Sequence, residues 1–499
     1  MILGVSVGWL EIVDIISRWV FIFCLSYYLI INLQWYNYSL HRVVTKHHKQ
    51  RWHLIHFLLP ICVFLISGFY QQNIIFYLYL YLIQVPLLGI WTLKIDKKLV
   101  FTRRVTRFFV ICFAFMAFNE ILTFISNNFN HNLRFLYLLP LVFGCIFSRL
   151  YENILLNRYT QMAKEKLAKM SSLKIIAITG SFGKTSIKNF ISQILQKKYN
   201  VYASPRSVNT LKGLIEDINK NLDTDIEIYI AEAGARQKGD IKEISFLLQH
   251  QYAIIGEVGN QHIEYFKTFE KILQTKFELL DSKHLLKAFV YDKNPLTYVD
   301  DDKKALIHPY SNQLRNILAT LEGTSFEMQI GDVWYPFETK ILGEFNIVNI
   351  SVAILVAHTF DIPIVEIQKS VLNLQPIPHR LNLLTVNQKV ILDDSFNGNL
   401  KGMLEGIRLC TLYAKRKVIV TPGLVESDED SNIKLAKAID DVFDIVIITG
   451  ELNSKILAQN IQKSQKIILK DKTQLENILK ASTAENDLIF FANDAPNYI

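Results

Sequence analysis

The chain has 499 residues, half of them hydrophobic and 20% charged, with a formal net charge of +8 and a mean hydropathy of +0.20. That much apolar side chain excludes global disorder, and five cysteines over this length exclude a disulfide scaffold. Length alone predicts about three domains, at roughly 100–200 residues each.

The apolar excess lies at the start. Five runs at 15–33, 53–70, 74–93, 105–126 and 133–147 are each near the ~20 residues a helix needs to cross ~30 Å of hydrocarbon. Arg42, Lys46, Lys49 and Arg51 separate the first two runs, and Lys94, Lys97, Lys98, Arg103, Arg104 and Arg107 separate the third from the fourth. The alternate loops, 71–73 and 127–132, carry neither Lys nor Arg. By the positive-inside rule this alternation predicts a multi-pass protein of the inner (cytoplasmic) membrane. Glu11 and Asp14 fall outside, and everything after about Arg149 falls in the cytoplasm. The lipid bilayer is then a partner, and the basic excess calls for no nucleic acid. Cys24, Cys62, Cys112 and Cys145 lie in the runs and read as small packing residues. Glu120, a carboxylate in the fourth run, sits near its outer edge.

After residue 150 the composition changes. A polar, helix-favouring stretch leads into short β-rich runs at 174–179, 227–232, 252–258, 390–393, 417–421, 444–449 and 487–492, alternating with amphipathic helical patterns. That alternation predicts parallel sheets built from βαβ units. The expected organisation is an all-α transmembrane region at 1–150, a connector helix at 151–172, an α/β central domain at 173–375 and a Rossmann-like α/β C-terminal domain at 376–499.

The sharpest motif is Ile178-Thr179-Gly180-Ser181-Phe182-Gly183-Lys184-Thr185-Ser186, between an apolar strand and a helical pattern. Gly180 and Gly183 let backbone N–H groups close around phosphate oxygens, and the helix N-terminus adds positive potential. Lys184 reaches toward β- and γ-phosphates, and the Thr185 hydroxyl suits Mg²⁺. Ile178 stands where the full Walker pattern has glycine. The reading is a nucleotide-phosphate loop formed by Gly180, Ser181, Gly183, Lys184, Thr185 and Ser186, rather than an ordinary glycine-rich βα turn.

Further motifs follow in order: Glu232 within Ala231-Glu232-Ala233-Gly234-Ala235, His262 within Gly259-Asn260-Gln261-His262, and Thr275-Lys276-Phe277-Glu278. Asn346 and Asn349 lie within Gly343-Glu344-Phe345-Asn346-Ile347-Val348-Asn349, three apart and so on one helical face. Pro378-His379-Arg380 and Asp393-Asp394-Ser395-Phe396-Asn397-Gly398-Asn399 come last. Oxygen ligands suit Mg²⁺, so Thr185 with Glu232 suits one ion beside a triphosphate, and His262 a second. Segments 204–213 and 233–239 carry Arg206, Asn209, Lys212, Arg236 and Lys238, which either face an anionic substrate, Asn209 and Arg236 foremost, or form solvated loops.

From residue 173 to the end the motif series resembles the Mur ligase family, which forms amide bonds in peptidoglycan synthesis. The DDSFNGN segment is most similar to that of its D-alanyl-D-alanine-adding members. The resemblance implies an ATP-dependent ligase joining D-alanyl-D-alanine to UDP-MurNAc-tripeptide through an acyl phosphate. ATP and Mg²⁺ would be its cofactors, and other cell-wall synthesis proteins its partners. It implies catalytic roles for Lys184, Lys276 and His262, and carbamylation of Lys276 beside the metals. Asn346 and Asn349 would contact adenine, Arg380 phosphate and Asp394 the nucleotide, with Asn397 and Asn399 in the substrate-side loop. Members ordinarily carry a soluble N-terminal domain for the UDP-sugar, and here the apolar runs stand in its place. Two other readings are a membrane-bound ligase forming another amide, such as a polyglutamate, and a non-catalytic membrane scaffold.

Overall fold

The computed structural model describes residues 9–494 apart from 37, 46–50, 71–72, 96, 127–133, 207, 260–262, 397, 426 and 470. The chain divides into two compact units, the first ending at Arg158 and the second starting at Tyr159.

The first unit is helical. Among the described residues it holds five helical stretches long and apolar enough to cross a membrane, beginning at Trp9, Arg51, Asn73, Arg103 and Phe135. The first, Trp9–Trp35, is the hub, with about half of its apolar window buried, whereas the other four leave most of theirs uncovered. Aromatic side chains fill the centre: the Phe21 ring lies 4.7 Å from Phe64 and 5.4 Å from Phe76. The charges inside are paired. Arg18 donates to both oxygens of Glu120, at 2.9 and 2.8 Å, and also to Asp14. The Tyr77 hydroxyl donates to the other Asp14 oxygen at 2.8 Å. Glu120 is therefore answered by an arginine rather than by the outer edge of its helix, as an ionisable group in an apolar bundle must be. One helix, Leu139–Lys169, carries both the latter part of the fifth apolar run and the polar stretch after it.

The second unit holds the two expected α/β sheets. In the first, β1 (Lys174–Thr179), β2 (Val201–Ala203), β3 (Ile228–Glu232), β4 (Tyr252–Ile255), β5 (Lys287–Tyr291) and β6 (Ile307–Tyr310) stand in the order β2-β3-β1-β4-β5-β6, all parallel. The four central strands, β1, β3, β4 and β5, are buried along nearly their whole length, which is why they read as continuous apolar runs, whereas the edge strand β6 exposes His308 and Pro309. Helix Glu344–Thr359 is apolar on nearly every side because it lies between two layers. Its Ile347, Ile350, Val352 and Ile354 share one core with Ile176 and Ile254 of the first sheet and with Phe326, Met328 and Phe337. Those last three belong to a small sheet that the parallel expectation did not contain: β7 (Leu314–Ala319), β8 (Thr324–Ile330) and β9 (Val333–Thr339), all antiparallel.

The last sheet contains β10 (Asn382–Val386), β11 (Lys389–Asp394), β12 (Lys417–Thr421), β13 (Ile445–Thr449), β14 (Gln465–Leu469) and β15 (Leu488–Ala492), in the order β10-β11-β15-β12-β13-β14. It is parallel except for β10, which forms a hairpin with β11. The two-residue turn, Asn387-Gln388, has φ of 49° and 60°, as a type I′ turn requires.

Helix Leu400–Thr411 packs on this sheet through Gly406. A methyl group at Gly406 would lie 2.5 Å from Phe490 Cζ, and Phe490 is fully buried in β15. Gly406→Ala is therefore expected to destabilise the unit by about 1–3 kcal/mol through overpacking. A lowered thermal midpoint of the purified full chain tests this, and an unchanged midpoint would show that Phe490 yields without strain.

Candidate active site

The strand order of the first sheet reverses at β1, so a crevice opens at its carboxyl end between β3 and β4, where α/β folds bind ligands. The glycine motif leaves β1 at that point. Gly180 and Gly183 have φ of 150° and 76°, the left-handed side of the map that favours glycine. Space also demands them. A Cβ on Gly183 would lie 2.5 Å from Asn349 Oδ1, and one on Gly180 would lie 3.2 Å from Gly256 Cα. The loop is fastened to the segment after β4. Ser181 N donates to the Glu257 carbonyl at 2.8 Å, and its Oγ donates to the Gly259 carbonyl and accepts from Gly259 N, both at 3.0 Å. That segment is held in turn by buried Asn294, which accepts from Val258 N at 3.1 Å and donates to the Gly256 carbonyl at 2.9 Å. Helix Lys184–Leu195 starts at once, so its unpaired N-terminal amides face the loop's concavity, a setting for an anion. Ser186 is buried in its first turn.

Charge is concentrated below this loop. Lys184 Nζ donates to the carbonyls of Gly180 and Ser181, at 2.7 and 3.0 Å. Burial pushes its pKa down to about 8, with Arg380 adding to the fall and Glu232 opposing it. Glu232, at the end of β3, is only 1% exposed. The Thr185 hydroxyl donates to its Oε2 at 3.3 Å, and Lys188 Nζ stands 2.8 Å from its Oε1. The latter is a charge contact and not an aligned hydrogen bond. Lys276 lies in helix Phe269–Phe277 and is 4% exposed. Burial, and then the positive charge of Lys184, hold its ammonium well below the usual lysine range, with Asp240 pulling the other way. Its neighbour Glu278 does something else: it accepts from Gly239 N at 2.8 Å and Lys242 N at 3.1 Å, capping helix Asp240–Leu248.

The last sheet contributes Arg380 and Asp394. Burial lowers the Arg380 guanidinium, and the charges of Asp394 and Glu232 oppose that fall. Its guanidinium also lies 4.8 Å from the centre of the Phe396 ring. Burial raises the Asp394 carboxyl to about 7 against the pull of Arg380, and its Oδ1 accepts from Leu381 N at 3.2 Å. Asn346 Nδ2 donates to the Leu342 carbonyl at 2.8 Å, and Asn349 abuts Gly183, so both asparagines stand beside the phosphate loop. Asn209 lies against Gly234, whose N–H donates to its carbonyl at 2.7 Å. Arg236 is exposed nearby. The Asn399 side chain is occupied as a cap, accepting from Gly402 N at 2.9 Å. His262 and Asn397 lie outside the described residues. Among the described residues no three His, Cys, Asp or Glu side chains gather as a metal cluster. The oxygens available to a hard cation here are those of Thr185 and Glu232, which suit Mg²⁺ in kind.

Two residues that fix this geometry were not evident in the sequence. Lys188 is 2% exposed and also donates to the carbonyls of Ser204 and Arg206, at 2.5 and 2.6 Å. Its one signal was position, a full turn after Lys184 on the face bearing Ile187 and Ile191. Asn294 had only its place just beyond a strand.

Residues 178–357 match the Mur ligase middle domain. Two similar proteins are named UDP-N-acetylmuramoyl-tripeptide–D-alanyl-D-alanine ligase. That of Buchnera aphidicola subsp. Acyrthosiphon pisum is 27% identical over 58% of this chain and 67% of its own. That of Bacillus subtilis is 25% identical over 67% and 76%. Among solved structures, the MurF ligase of Thermotoga maritima in complex with ADP shares the fold, with a TM-score of 0.59 at 21% identity over 68% of this chain and 80% of that one.

Lys188→Met would leave Glu232 charged, buried and without its cation, a loss of roughly 3–5 kcal/mol. Denaturant unfolding measures it. Adding Glu232→Gln should recover much of the loss, giving a non-additive cycle. Simple additivity would mean that the two side chains do not stabilise one another.

Proposed function

From a chain that carries the Mur ligase middle domain at residues 178–357, we propose an ATP-dependent ligase that adds D-alanyl-D-alanine to UDP-N-acetylmuramoyl-tripeptide at the cytoplasmic face of the inner membrane. One observation carries this reading. The glycine loop at the β1 switch point has Lys184, Glu232, Lys276 and Arg380 gathered around it, in a chain similar to relatives of that name. Making an amide in water requires the carboxyl group to be activated. A carboxylate oxygen of the tripeptide attacks the γ-phosphorus of ATP and ADP leaves. The amine of D-alanyl-D-alanine then attacks the acyl carbon, phosphate leaves and the amine loses a proton.

The residues divide this work. The backbone of Gly180–Gly183 and the ammonium of Lys184 hold the phosphates, and Arg380 adds a planar fork suited to their oxygens. Thr185 and Glu232 would hold Mg²⁺, which supplies charge neutralisation on the phosphates. Burial and the charge of Lys184 favour the uncharged amine of Lys276, the form that adds CO₂ with loss of a proton, and its carbamate would set an anion where an ammonium would repel Lys184. Asn346 and Asn349 serve the adenine side. Asn209 and Arg236 serve the acyl substrate, and the loop with Asn397 and Asn399 serves the amine. The five apolar helices anchor the enzyme.

Formation of UDP-MurNAc-pentapeptide from the tripeptide, D-alanyl-D-alanine and ATP by the purified chain tests the reading. Lys184→Ala should reduce turnover at least roughly 100-fold with an unchanged melting temperature, and comparable turnover would exclude this loop as the ATP site. Lys184 also gives a pH signature. Its pKa near 8 rises when phosphate binds, so ATP affinity should be full below pH 8 and fall above it. Calorimetry at pH 8 in buffers of different ionisation enthalpy should show proton uptake, and none would be seen if the lysine stays away from phosphate. Lys276→Ala should lose most activity and regain part of it with short-chain carboxylates. Near-wild-type turnover in that variant would leave Lys276 without a part in the reaction.

A further inference from the structure

Helix Arg103–Ser126 opens with three arginines in five residues, Arg103, Arg104 and Arg107, and has no acidic residue in its first turn. This is the positive end of the helix dipole, where cations are disfavoured. One carboxylate answers them. Glu152 accepts from Arg107 and lies 3.9 Å from Arg104 Nε. Three guanidiniums against one carboxylate leave a local charge of +2, and no other acid among the described residues pairs with them. The Nε atoms of Arg104 and Arg107 have no hydrogen-bond partner.

Two of the guanidiniums are also held in place. Arg104 lies 3.6 Å from the centre of the Tyr38 ring, and Arg107 lies 5.4 Å from that of Tyr151. Each ring gives its guanidinium a cation–π partner that restrains it, which a solvated surface arginine lacks. Immediately before the arginines, Val100 and Phe101 are 63% and 69% exposed. The segment is pinned there, because Gln34 donates to the Val100 carbonyl at 2.8 Å and accepts from its N–H at 2.9 Å. Uncovered apolar side chains thus adjoin oriented guanidiniums.

We propose that Arg103, Arg104 and Arg107 form a binding site for the dianionic phosphate headgroup of a membrane lipid, a terminal phosphomonoester or a diphosphate, in the inner leaflet. Two negative charges match the local excess, and charge-assisted fork hydrogen bonds suit phosphate oxygens. Val100 and Phe101 select a lipid over free phosphate, since they offer contact only to an acyl or prenyl chain. The inference rests on the five helices lying in a bilayer, as proposed above, and is independent of the ligase chemistry.

The test uses the full chain in phosphatidylcholine nanodiscs doped with phosphatidic acid or with phosphatidylglycerol, and native mass spectrometry to read the lipid retained. Phosphatidic acid should be retained in preference to phosphatidylglycerol. Arg104→Gln with Arg107→Gln should weaken retention by roughly tenfold or more. Arg104→Lys with Arg107→Lys, which keeps the charge but loses the stacked fork, should lose the preference between the two lipids. Equal retention of both lipids, undiminished preference in the lysine variant, or displacement of the lipid by inorganic phosphate would each overturn the proposal. Extraction of the chain from native membranes by alkaline carbonate would instead overturn the bilayer placement itself, so the two failures are distinguishable.

Discussion

The candidate site depends on one buried carboxylate. Glu232 ends β3 with almost no exposure, and an uncompensated charge there would cost several kcal/mol. Lys188 compensates it at 2.8 Å, and the same ammonium holds the carbonyls of Ser204 and Arg206. One cation therefore fixes the carboxylate beside Thr185 and also the backbone that leads to Asn209. The phosphate loop and the 204–209 segment, proposed above to serve the acyl substrate, share a single anchor, so a disturbance on either side is felt on the other.

The chain's chemistry was legible where local geometry forces residue choice. Gly180 and Gly183 had to be glycine, and the flat Ile–Val–Ala runs had to be two-sided strands. The helical unit was legible for a similar reason, since apolar runs of nearly 20 residues are too long for ordinary strands and form helices. Other features escaped because their signals are not local. The β10–β11 hairpin turns on Asn387-Gln388, both at positive φ, and glutamine lacks the glycine that usually advertises such a turn. The β7–β9 sheet exists because helix Glu344–Thr359 needs apolar cover on its outer side, a demand visible only once that helix is seen to be buried all round. Glu278 illustrates the reverse. It stood beside Lys276 in a motif, yet its carboxylate is occupied by Gly239 and Lys242 amides.

The C-terminal sheet meets the loop through a short, strained connection. His379 adopts φ of 63°, costly for a residue with a side chain. Its Nδ1 lies 2.9 Å from buried Asp393, while Ser395 Oγ donates to the other Asp393 oxygen at 2.7 Å. These contacts over-determine the turn and direct the next residue, Arg380, toward Asp394 and Glu232. Strain held by a buried acid, one position before the arginine proposed to bind phosphate, is the kind found where positioning needs it.

The pairing of Arg18 with Glu120 bears on how the protein is made. The partners are 102 positions apart, so at about 5–20 residues per second the arginine emerges roughly 5–20 s before its carboxylate exists. Asp14, one turn earlier on the same helix, covers that interval. It offers the nascent hub helix a local counter-charge, so the guanidinium is neutralised before its permanent partner is synthesised. Biogenesis of the bundle thus follows an order written into the first helix: self-neutralisation first, and closure only when the fourth apolar helix arrives.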